Sequence, residues 1–506
     1  MDIDQHSLVT PRILVIGANG YIGSNLVPAL LREGHSVKAT SRNLTQLSKQ
    51  RWNNHPNVSL HHLDLANDVS DTLLDILKDV DIVYYLVHGM ALGSSFYDYE
   101  VAMAQNVSNA LSRTKISRIV YLGATQPDGE SSPHLSARKA TGNILRESGV
   151  QVVELRAGII IGSGSAAFEV MRDVVSHLPI VIAPTWIKSQ SCPIALETVI
   201  IYLKRMVTLS LMGSPIYEMK GPDTISYEQQ MLRLARLMNK RIVIIKLPFL
   251  TPKMAAAWLS VVTSVPTPIA TALVEGLSHH LVAHIADVSD AIPLPPIHFE
   301  VAVETALSAE SDVVRNEIWG YDPDAILRWH KGYGYYPKHA GFSVDTDATA
   351  HDLWVNIQKV GGDEGYFFGN WLWELRGYID AAFGGDALVK RRPKSNTLNV
   401  GDYIDSWKVI QCEPLQHLSL LFGMKAPGLG RLEFTLTDHD THRTIDIRAW
   451  WHPAGFRGLL YWFAMMPAHL FIFKGMAIAL AKKKRGNRNQ SIAPLLTFVF
   501  MLRFQT

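Results

Sequence analysis

The segment Ile13–Gly23, Ile-Leu-Val-Ile-Gly-Ala-Asn-Gly-Tyr-Ile-Gly, constrains the fold more than any other stretch of the chain. Four apolar, mostly β-branched residues, Ile13 to Ile16, read as a buried strand. Gly17, Gly20 and Gly23 follow at three-residue spacing, and an apolar helical pattern then runs through Ile22, Leu26, Val27, Leu30 and Leu31. Strand, glycine turn and helix in that order form the context a dinucleotide-binding turn needs. Gly17 permits the tight turn. Gly20 lets the backbone approach a pyrophosphate seated on the positive end of the helix, and Gly23 lets helix and sheet pack closely. Asn19, Tyr21 and Ile22, interleaved with the glycines, are assigned to the same cofactor site. The alternative is a glycine-rich turn in some other α/β fold.

The chain continues as such a site requires. Gly34-His35 ends the first helix, and Val37–Thr40 is a second strand. An acid at its C-terminal end would take the ribose 2′-hydroxyl of NAD. Ser41 and Arg42 stand there instead, and a guanidinium suits a 2′-phosphate by charge and by its fork of donors. The expected cofactor is therefore NADP, ahead of NAD. The other reading of Arg42 is a solvated loop residue. Val58–Leu63 is a third strand, followed by Asp64-Leu65; Asp64 is expected near the adenine or, in the other reading, caps a helix that begins near Asp68. Asp81–Val87 is a fourth strand ending at His88-Gly89-Met90, Phe96–Arg113 a helix containing Asn106, and Ser117–Leu122 a fifth strand. This alternation implies right-handed βαβ units and a doubly wound parallel sheet, the α/β class.

Composition narrows the rest. At 506 residues the chain exceeds one typical domain. Its net charge of +2 leaves no nucleic-acid footprint. Two distant cysteines, Cys192 and Cys412, fit a reducing, cytoplasmic setting and argue against a disulfide scaffold or a cysteine zinc site. The histidines His279, His280, His284 and His298 match no metal motif, so no metal is expected.

Gly-Ala-Asn-Gly-Tyr-Ile-Gly, Ser41-Arg42, Asp64-Leu65 and Val87-His88 together resemble the short-chain dehydrogenase/reductase superfamily, in its extended or atypical branch of NAD(P)-binding epimerase and NmrA-like proteins. The resemblance covers about residues 11–300 and implies a Rossmann domain with a small substrate lobe at about 160–300, within a domain of 11–310. In that superfamily a Tyr protonates the carbonyl as hydride arrives, and a Lys four residues on lowers the Tyr pKa and holds the ribose. Here the corresponding segment reads Pro133-His134-Leu135-Ser136-Ala137-Arg138-Lys139, with no tyrosine. By spacing, His134 stands in the Tyr place, Arg138 in the Lys place and Thr125 nearest the Ser place. A His can donate a proton near neutral pH, whereas an Arg keeps its proton. The other reading makes His134 the start of a helix, with Arg138 and Lys139 on its solvated face. Tyr84 and Tyr85 are alternative acids.

Val152–Ile161 is a sixth strand. Gly162-Ser163-Gly164-Ser165 follows it, a turn that could hold a phosphate or sugar or serve only as a flexible link. An amphipathic helix is expected at Phe168–Leu178, a further helix at Tyr227–Met238, apolar helices at Met254–Val265 and Ile269–Leu281, a strand or buried apolar run at Ile242–Leu247, and a last helix of this half at Phe299–Leu307.

From Phe342 the order changes. A short strand, Phe342–Thr346, precedes a helix, Ala348–Val360, and an aromatic-rich stretch, Tyr366–Phe383. Four alternating runs follow: Tyr403–Cys412, His417–Lys425, Gly430–Asp438 and Arg443–Trp451. In the third, Phe434 and Leu436 point one way and Glu433, Thr435 and Thr437 the other, as in a half-buried antiparallel sheet. The apolar stretch Gly458–Ala481 is long enough to span a bilayer, but Pro467, His469 and Lys474 inside it argue against that. It is expected to supply a helix, about Pro467–Lys484, that closes an apolar cavity. Strand, helices, antiparallel meander and long last helix resemble a START-like, polyketide-cyclase-like helix-grip domain, here at 340–486. The resemblance implies a small apolar ligand between helix and sheet. Phe422–Gly430 and Trp450-Trp451-His452-Pro453 look like hallmarks of a C-terminal family joined to atypical short-chain dehydrogenases. The basic run Lys482–Arg488 and the apolar tail 487–506 admit peripheral membrane contact.

Three functions follow from these readings. The chain is an NAD(P)(H)-binding oxidoreductase acting on an unidentified apolar small molecule, a non-catalytic NADP(H)-sensing or assembly protein, or a carrier of a hydrophobic ligand.

Overall fold

The computed structural model describes residues 10–482, apart from 67–69, 90–94, 283–284, 318, 320–321, 331, 386–388, 396 and 440–441. Asp68, Met90, His284, the basic run beyond Lys482 and the tail 487–506 lie outside the described residues. The chain divides into two compact units, Met1–Ser260 with Val265–Glu310, and Val261–Ser264 with Ser311–Thr506.

The first unit is built on seven strands: β1 (Arg12–Ile16), β2 (Ser36–Ser41), β3 (Val58–His62), β4 (Ile82–Tyr85), β5 (Arg118–Ala124), β6 (Gln151–Ala157) and β7 (Ile216–Met219). Their order is β7-β6-β5-β4-β1-β2-β3, and every pairing is parallel. Strands buried on both faces explain the continuous apolar runs in the sequence. Ile13, Val15, Tyr84, Val120 and Val153 pack on one side, with Leu26 and Leu30 of helix α1 (Tyr21–Arg32). Leu14, Ile16, Val83, Tyr85 and Ile119 pack on the other, with Met103 and Val107 of helix α2 (Phe96–Leu111). Strand order reverses between β1 and β4, which opens a crevice beyond their carboxyl ends.

The expected sixth strand is two pieces. β6 stops at Ala157, and Ile160–Ile161 pairs instead with Ile194–Ala195. Gly158 stands at the break, where a residue without a side chain weakens the strand. Val243–Leu247 is a strand as expected, but it pairs with Ile180–Pro184 outside the main sheet. The helix expected at Phe299–Leu307 runs on to Glu317.

The second unit holds a six-stranded antiparallel sheet: β8 (Lys338–Thr346), β9 (Tyr403–Ile404), β10 (Trp407–Glu413), β11 (His417–Leu421), β12 (Gly428–Asp438) and β13 (Arg443–Pro453), in the order β8-β13-β12-β11-β10-β9. The run expected as one strand from Tyr403 is broken by a turn in which Asp405 has φ of 49°. Asp405 is fixed there by Tyr366, whose hydroxyl donates to its carboxylate at 2.8 Å. Leu432, Phe434, Ile445 and Ile447 form the buried face. Over it lie helices α4 (Ala350–Ile357), α5 (Asn370–Ala382) and α6 (Gly455–Lys482); α3 is Pro133–Arg146 of the first unit. α6 packs Ile472, Phe473, Met476, Ala477 and Leu480 into that core. It begins twelve residues before the expected Pro467, which lies inside the helix. The lost N–H of a proline costs an internal helix one bond and a kink. The well-buried Leu459 and Trp462 on the preceding turns hold that part of the helix in place. Among the described residues α6 is the one helix long and apolar enough to cross a membrane; 28% of its most apolar window is buried.

Candidate functional site: the crevice beyond β1 and β4

The turn after β1 has the form its sequence requires. Gly17 has φ of 89°, a conformation that side-chain-bearing residues rarely adopt, and a Cβ there would stand 2.9 Å from Val87. A Cβ on Gly23 would fall 2.2 Å from the Gly17 carbonyl oxygen, so this glycine sets how closely α1 meets the turn. Gly20 caps α1 in extended conformation with no side chain over the helix end. The first-turn N–H groups of a helix lack intrahelical acceptors, and no side chain caps them here, as an anion seat requires. Tyr21 and Ile22 are the first residues of that turn. Asn19 accepts a hydrogen bond from the Gln50 amide at 3.1 Å, which ties the loop to the segment after β2.

The rim residues named from the sequence are each held by a partner. The Ser41 hydroxyl accepts the Asn43 N–H at 3.1 Å. Arg42 is exposed, and its guanidinium donates to the Tyr99 hydroxyl at 3.2 Å, so its charge is steadied at the end of β2. Asp64 accepts the Ala66 N–H at 3.1 Å, and the Leu65 carbonyl accepts from Asn106 of α2 at 2.8 Å. His88, just past the end of β4, is exposed yet crowded by neighbouring residues. Crowding by protein, then the charges of Arg138 and Arg42, push its pKa down to about 4. These glycines and the open helix end fit a nicotinamide dinucleotide.

The residues standing in the catalytic places do other work. Arg138 is 7% exposed. It donates to the Val87 carbonyl at 3.0 Å and to the Leu122 carbonyl, faces Glu100 at 3.7 Å, and lies 5.0 Å over the Tyr121 ring. It is a tie between the ends of β4 and β5, not a solvated residue and not a free ribose anchor. His134 is also buried, packed edge-on against Phe96 at 6.2 Å. Burial, then Arg138 and His88, push its pKa down to about 3, so at neutral pH the ring is uncharged and has no acidic proton to give. Thr125 points elsewhere: its hydroxyl donates to buried Glu218 at 2.7 Å. His134 and Arg138 thus share one cluster with His88, and Thr125 belongs to another. The alternative acids fare no better. Tyr84 and Tyr85 are fully buried, burial drives both phenols up, and Tyr84 donates to the Leu203 carbonyl at 2.7 Å. In the Gly162–Ser165 turn, the Gly164 N–H is already bonded to the Glu169 carboxyl group at 2.8 Å, which argues against a phosphate on that N–H.

Sequence reasoning passed over Glu100 and Tyr99. Glu100 is 1% exposed; one oxygen accepts the Gly89 N–H at 2.7 Å and the other faces Arg138. The signal was present, because Glu100 shares the buried face of α2 with Phe96, Met103 and Val107. A carboxylate at helical spacing among core residues needs a buried partner.

Residues 17–173 match the family described as NAD(P)H-binding, and residues 339–476 match a family described as a protein of unknown function, DUF2867. No curated protein matches the chain. Among solved structures it is similar to UDP-glucuronic acid 4-epimerase from Bacillus cereus in complex with UDP-glucuronic acid and NAD, at 16% identity over 60% of this chain and 99% of that one, with TM-score 0.46. A nucleoside-diphosphate-sugar epimerase from Staphylococcus aureus gives 13%, 58% and 99%, with TM-score 0.48. The Bordetella bronchiseptica enzyme WbmH in complex with NAD+ gives 14%, 60% and 98%, with TM-score 0.44. The parallel sheet, the glycine turn at its switch point and the match over 17–173 identify the N-terminal half as an NAD(P)-binding Rossmann domain.

Proposed function

We propose that this protein binds NADP(H) in the crevice beyond β1 and β4 and uses it as a bound signal, without the tyrosine–lysine proton relay of the short-chain dehydrogenases. The observation that carries this reading is the state of the two substituted residues. Arg138 is spent on the chain's own carbonyls, and His134 is buried and neutral. A bound reduced nicotinamide supplies hydride, but a carbonyl reduction also needs a proton at the substrate oxygen, and neither residue supplies one. What remains supports binding: the helix N-terminus for the pyrophosphate, Arg42 for the 2′-phosphate, Asp64 and Leu65 beside the adenine. The C-terminal domain is read as the holder of a small apolar ligand, and its two-layer build supports the helix-grip reading. The two free cysteines support a reducing compartment.

A second reading, oxidoreduction of an apolar small molecule, draws on one feature of the same unit. A cavity enclosing about 100 Å³ lies among Met171, Val174, Trp186, Tyr227 and Leu259, with walls that are almost wholly apolar. Water would then have to provide the proton.

The test is single turnover. Protein loaded with NADPH is mixed with a panel of apolar aldehydes, ketones and quinones while the reduced nicotinamide absorbance is followed. The proposal expects tight binding and no consumption above the uncatalysed rate. Catalysed loss of the absorbance with any panel member would overturn it and establish the oxidoreductase.

A further inference from the structure

The second unit contains a cavity of about 260 Å³ between its sheet and helices α5 and α6, just below the roughly 300 Å³ at which small-molecule sites begin. Its walls are aromatic. Trp373 meets Trp407 at 6.1 Å, Trp407 meets Phe422 at 5.4 Å, and Phe422 meets Trp451 at 5.8 Å. Such a surface accepts an apolar body of almost any shape.

Two charged side chains line it: Arg431 of β12, whose Nε is paired with the Glu433 carboxylate at 2.6 Å, and Arg376 of α5. Arg376 is 8% exposed. Its Nη2 donates to the Lys425 carbonyl at 2.9 Å and its Nε to the Tyr461 hydroxyl at 3.3 Å. The rings of Phe422 and Tyr461 lie 5.7 and 5.9 Å from the guanidinium carbon. The group is therefore held in one plane. Its third nitrogen, Nη1, is buried and makes no hydrogen bond; the nearest carboxylate, that of Asp380, stands 3.9 Å away. Four further lining residues repeat the pattern: Nε1 of Trp373 and of Trp407, Nη1 of Arg431 and Nδ1 of His469 are buried without hydrogen-bond partners. A buried donor left unmade costs about 1–3 kcal/mol, more for a charged group, so a protein rarely leaves such groups on one cavity without something to fill it.

We propose that this cavity binds a small amphipathic carboxylic acid, its apolar body against the tryptophans and its carboxylate on Nη1 of Arg376. The proposal rests on the reading that the C-terminal domain holds an apolar ligand, and it adds the head group. A planar guanidinium with a free N–H edge matches a carboxylate oxygen at hydrogen-bond distance. The contact to Asp380 is too long to compete with such a bond. Asp380 is itself engaged, accepting the Lys425 N–H at 2.6 Å.

The experiment is calorimetric titration of the full chain with decanoate, methyl decanoate and decanol, read together with tryptophan fluorescence. Decanoate is expected to bind about ten- to a hundredfold more tightly than its ester or the alcohol, the worth of one charge-assisted hydrogen bond. Arg376→Met should remove that preference while leaving ester binding within about twofold. Because this substitution strands Asp380 and could unfold the domain, Arg376→Lys is the companion: it keeps a charge and should retain a preference for the acid. Equal affinity for acid and ester in the unaltered protein overturns the carboxylate assignment while the apolar-ligand reading stands. Absence of binding by all three probes overturns both.

Discussion

Two buried guanidinium groups contrast the Rossmann crevice with the C-terminal cavity. Arg138 and Arg376 are almost equally hidden, 7% and 8% exposed, and each lies over aromatic rings. They differ in what their nitrogens do. Arg138 closes its set on Val87, Leu122 and Glu100, all within the chain. Arg376 closes two nitrogens on Lys425 and Tyr461; the third faces Asp380 at 3.9 Å but makes no hydrogen bond, on a residue that lines a cavity. Burial of a charge near a site is therefore no sign of function by itself. A charge whose hydrogen bonds are all supplied by the chain is architecture, and one that lines a cavity with a hydrogen bond unmade has capacity for something else.

The sharpest way to break this contrast is Arg138→Met. If the residue is a tie, its loss strands Glu100 in the core and two carbonyls at strand ends. Removing one partner of a buried pair costs about 3–5 kcal/mol. Denaturant unfolding of the full chain, followed by a probe in the first unit, should show that loss, with NADPH affinity little changed at low denaturant. Unaltered stability with a collapse in affinity would make Arg138 a cofactor ligand and return the crevice to the catalytic reading.

What the sequence could and could not disclose follows the same division. The parallel sheet was legible because its strands are buried on both faces and leave uninterrupted runs such as Ile13–Ile16, and because Gly17, Gly20 and Gly23 each answer a local steric demand visible at short range. The antiparallel sheet was legible from alternation, as in Phe434 and Leu436 against Glu433 and Thr435. Boundaries failed where a tertiary contact decided them: the turn at Asp405, pinned by Tyr366 from 39 residues away, and the early start of α6. The partners of Arg138 were out of reach for a related reason. Spacing placed it where a lysine would hold a ribose, but Val87 and Glu100 reach it across 51 and 38 residues of sequence, and no local pattern reports such a closure. Arg376 was equally hidden within an aromatic-rich helix. Its open nitrogen exists only because α5, the sheet and α6 converge.

An intermediate effect is expected at the cofactor rim. Arg42 is exposed, and its structural partner is a single phenol, so Arg42→Ala should leave stability within about 0.5 kcal/mol. NADPH affinity should fall about ten- to a hundredfold and NADH affinity hardly at all, since only the former presents the 2′-phosphate. Titration calorimetry with both nucleotides checks this. An equal loss for both would show Arg42 contacting a part common to the two, and the preference for NADP would go.

The smallest effect concerns His134, and its sign separates the two readings of the crevice. The folded ring holds its pKa near 3, by burial first and by Arg138 and His88 next, against an unfolded value of about 6.5. Between those values the unfolded chain binds a proton that the folded one refuses, so stability rises with pH there. The contribution is complete above the unfolded pKa and is lost as pH falls below it. From about pH 7.5 to about pH 6 one such group removes on the order of 1 kcal/mol, and more at lower pH. His88 adds a similar slope and carboxylates add others, so the informative quantity is the difference between the protein and its His134→Phe variant, which keeps a ring against Phe96. That difference should narrow on acidification, with the variant losing less. Parallel profiles would mean that His134 titrates near its ordinary value, is protonated in a fraction of molecules near neutral pH and is available as the general acid that the bound-signal reading denies it. Wild-type stability falling faster than the variant's would instead place His134 with Arg138, as part of what holds the crevice open for the nucleotide.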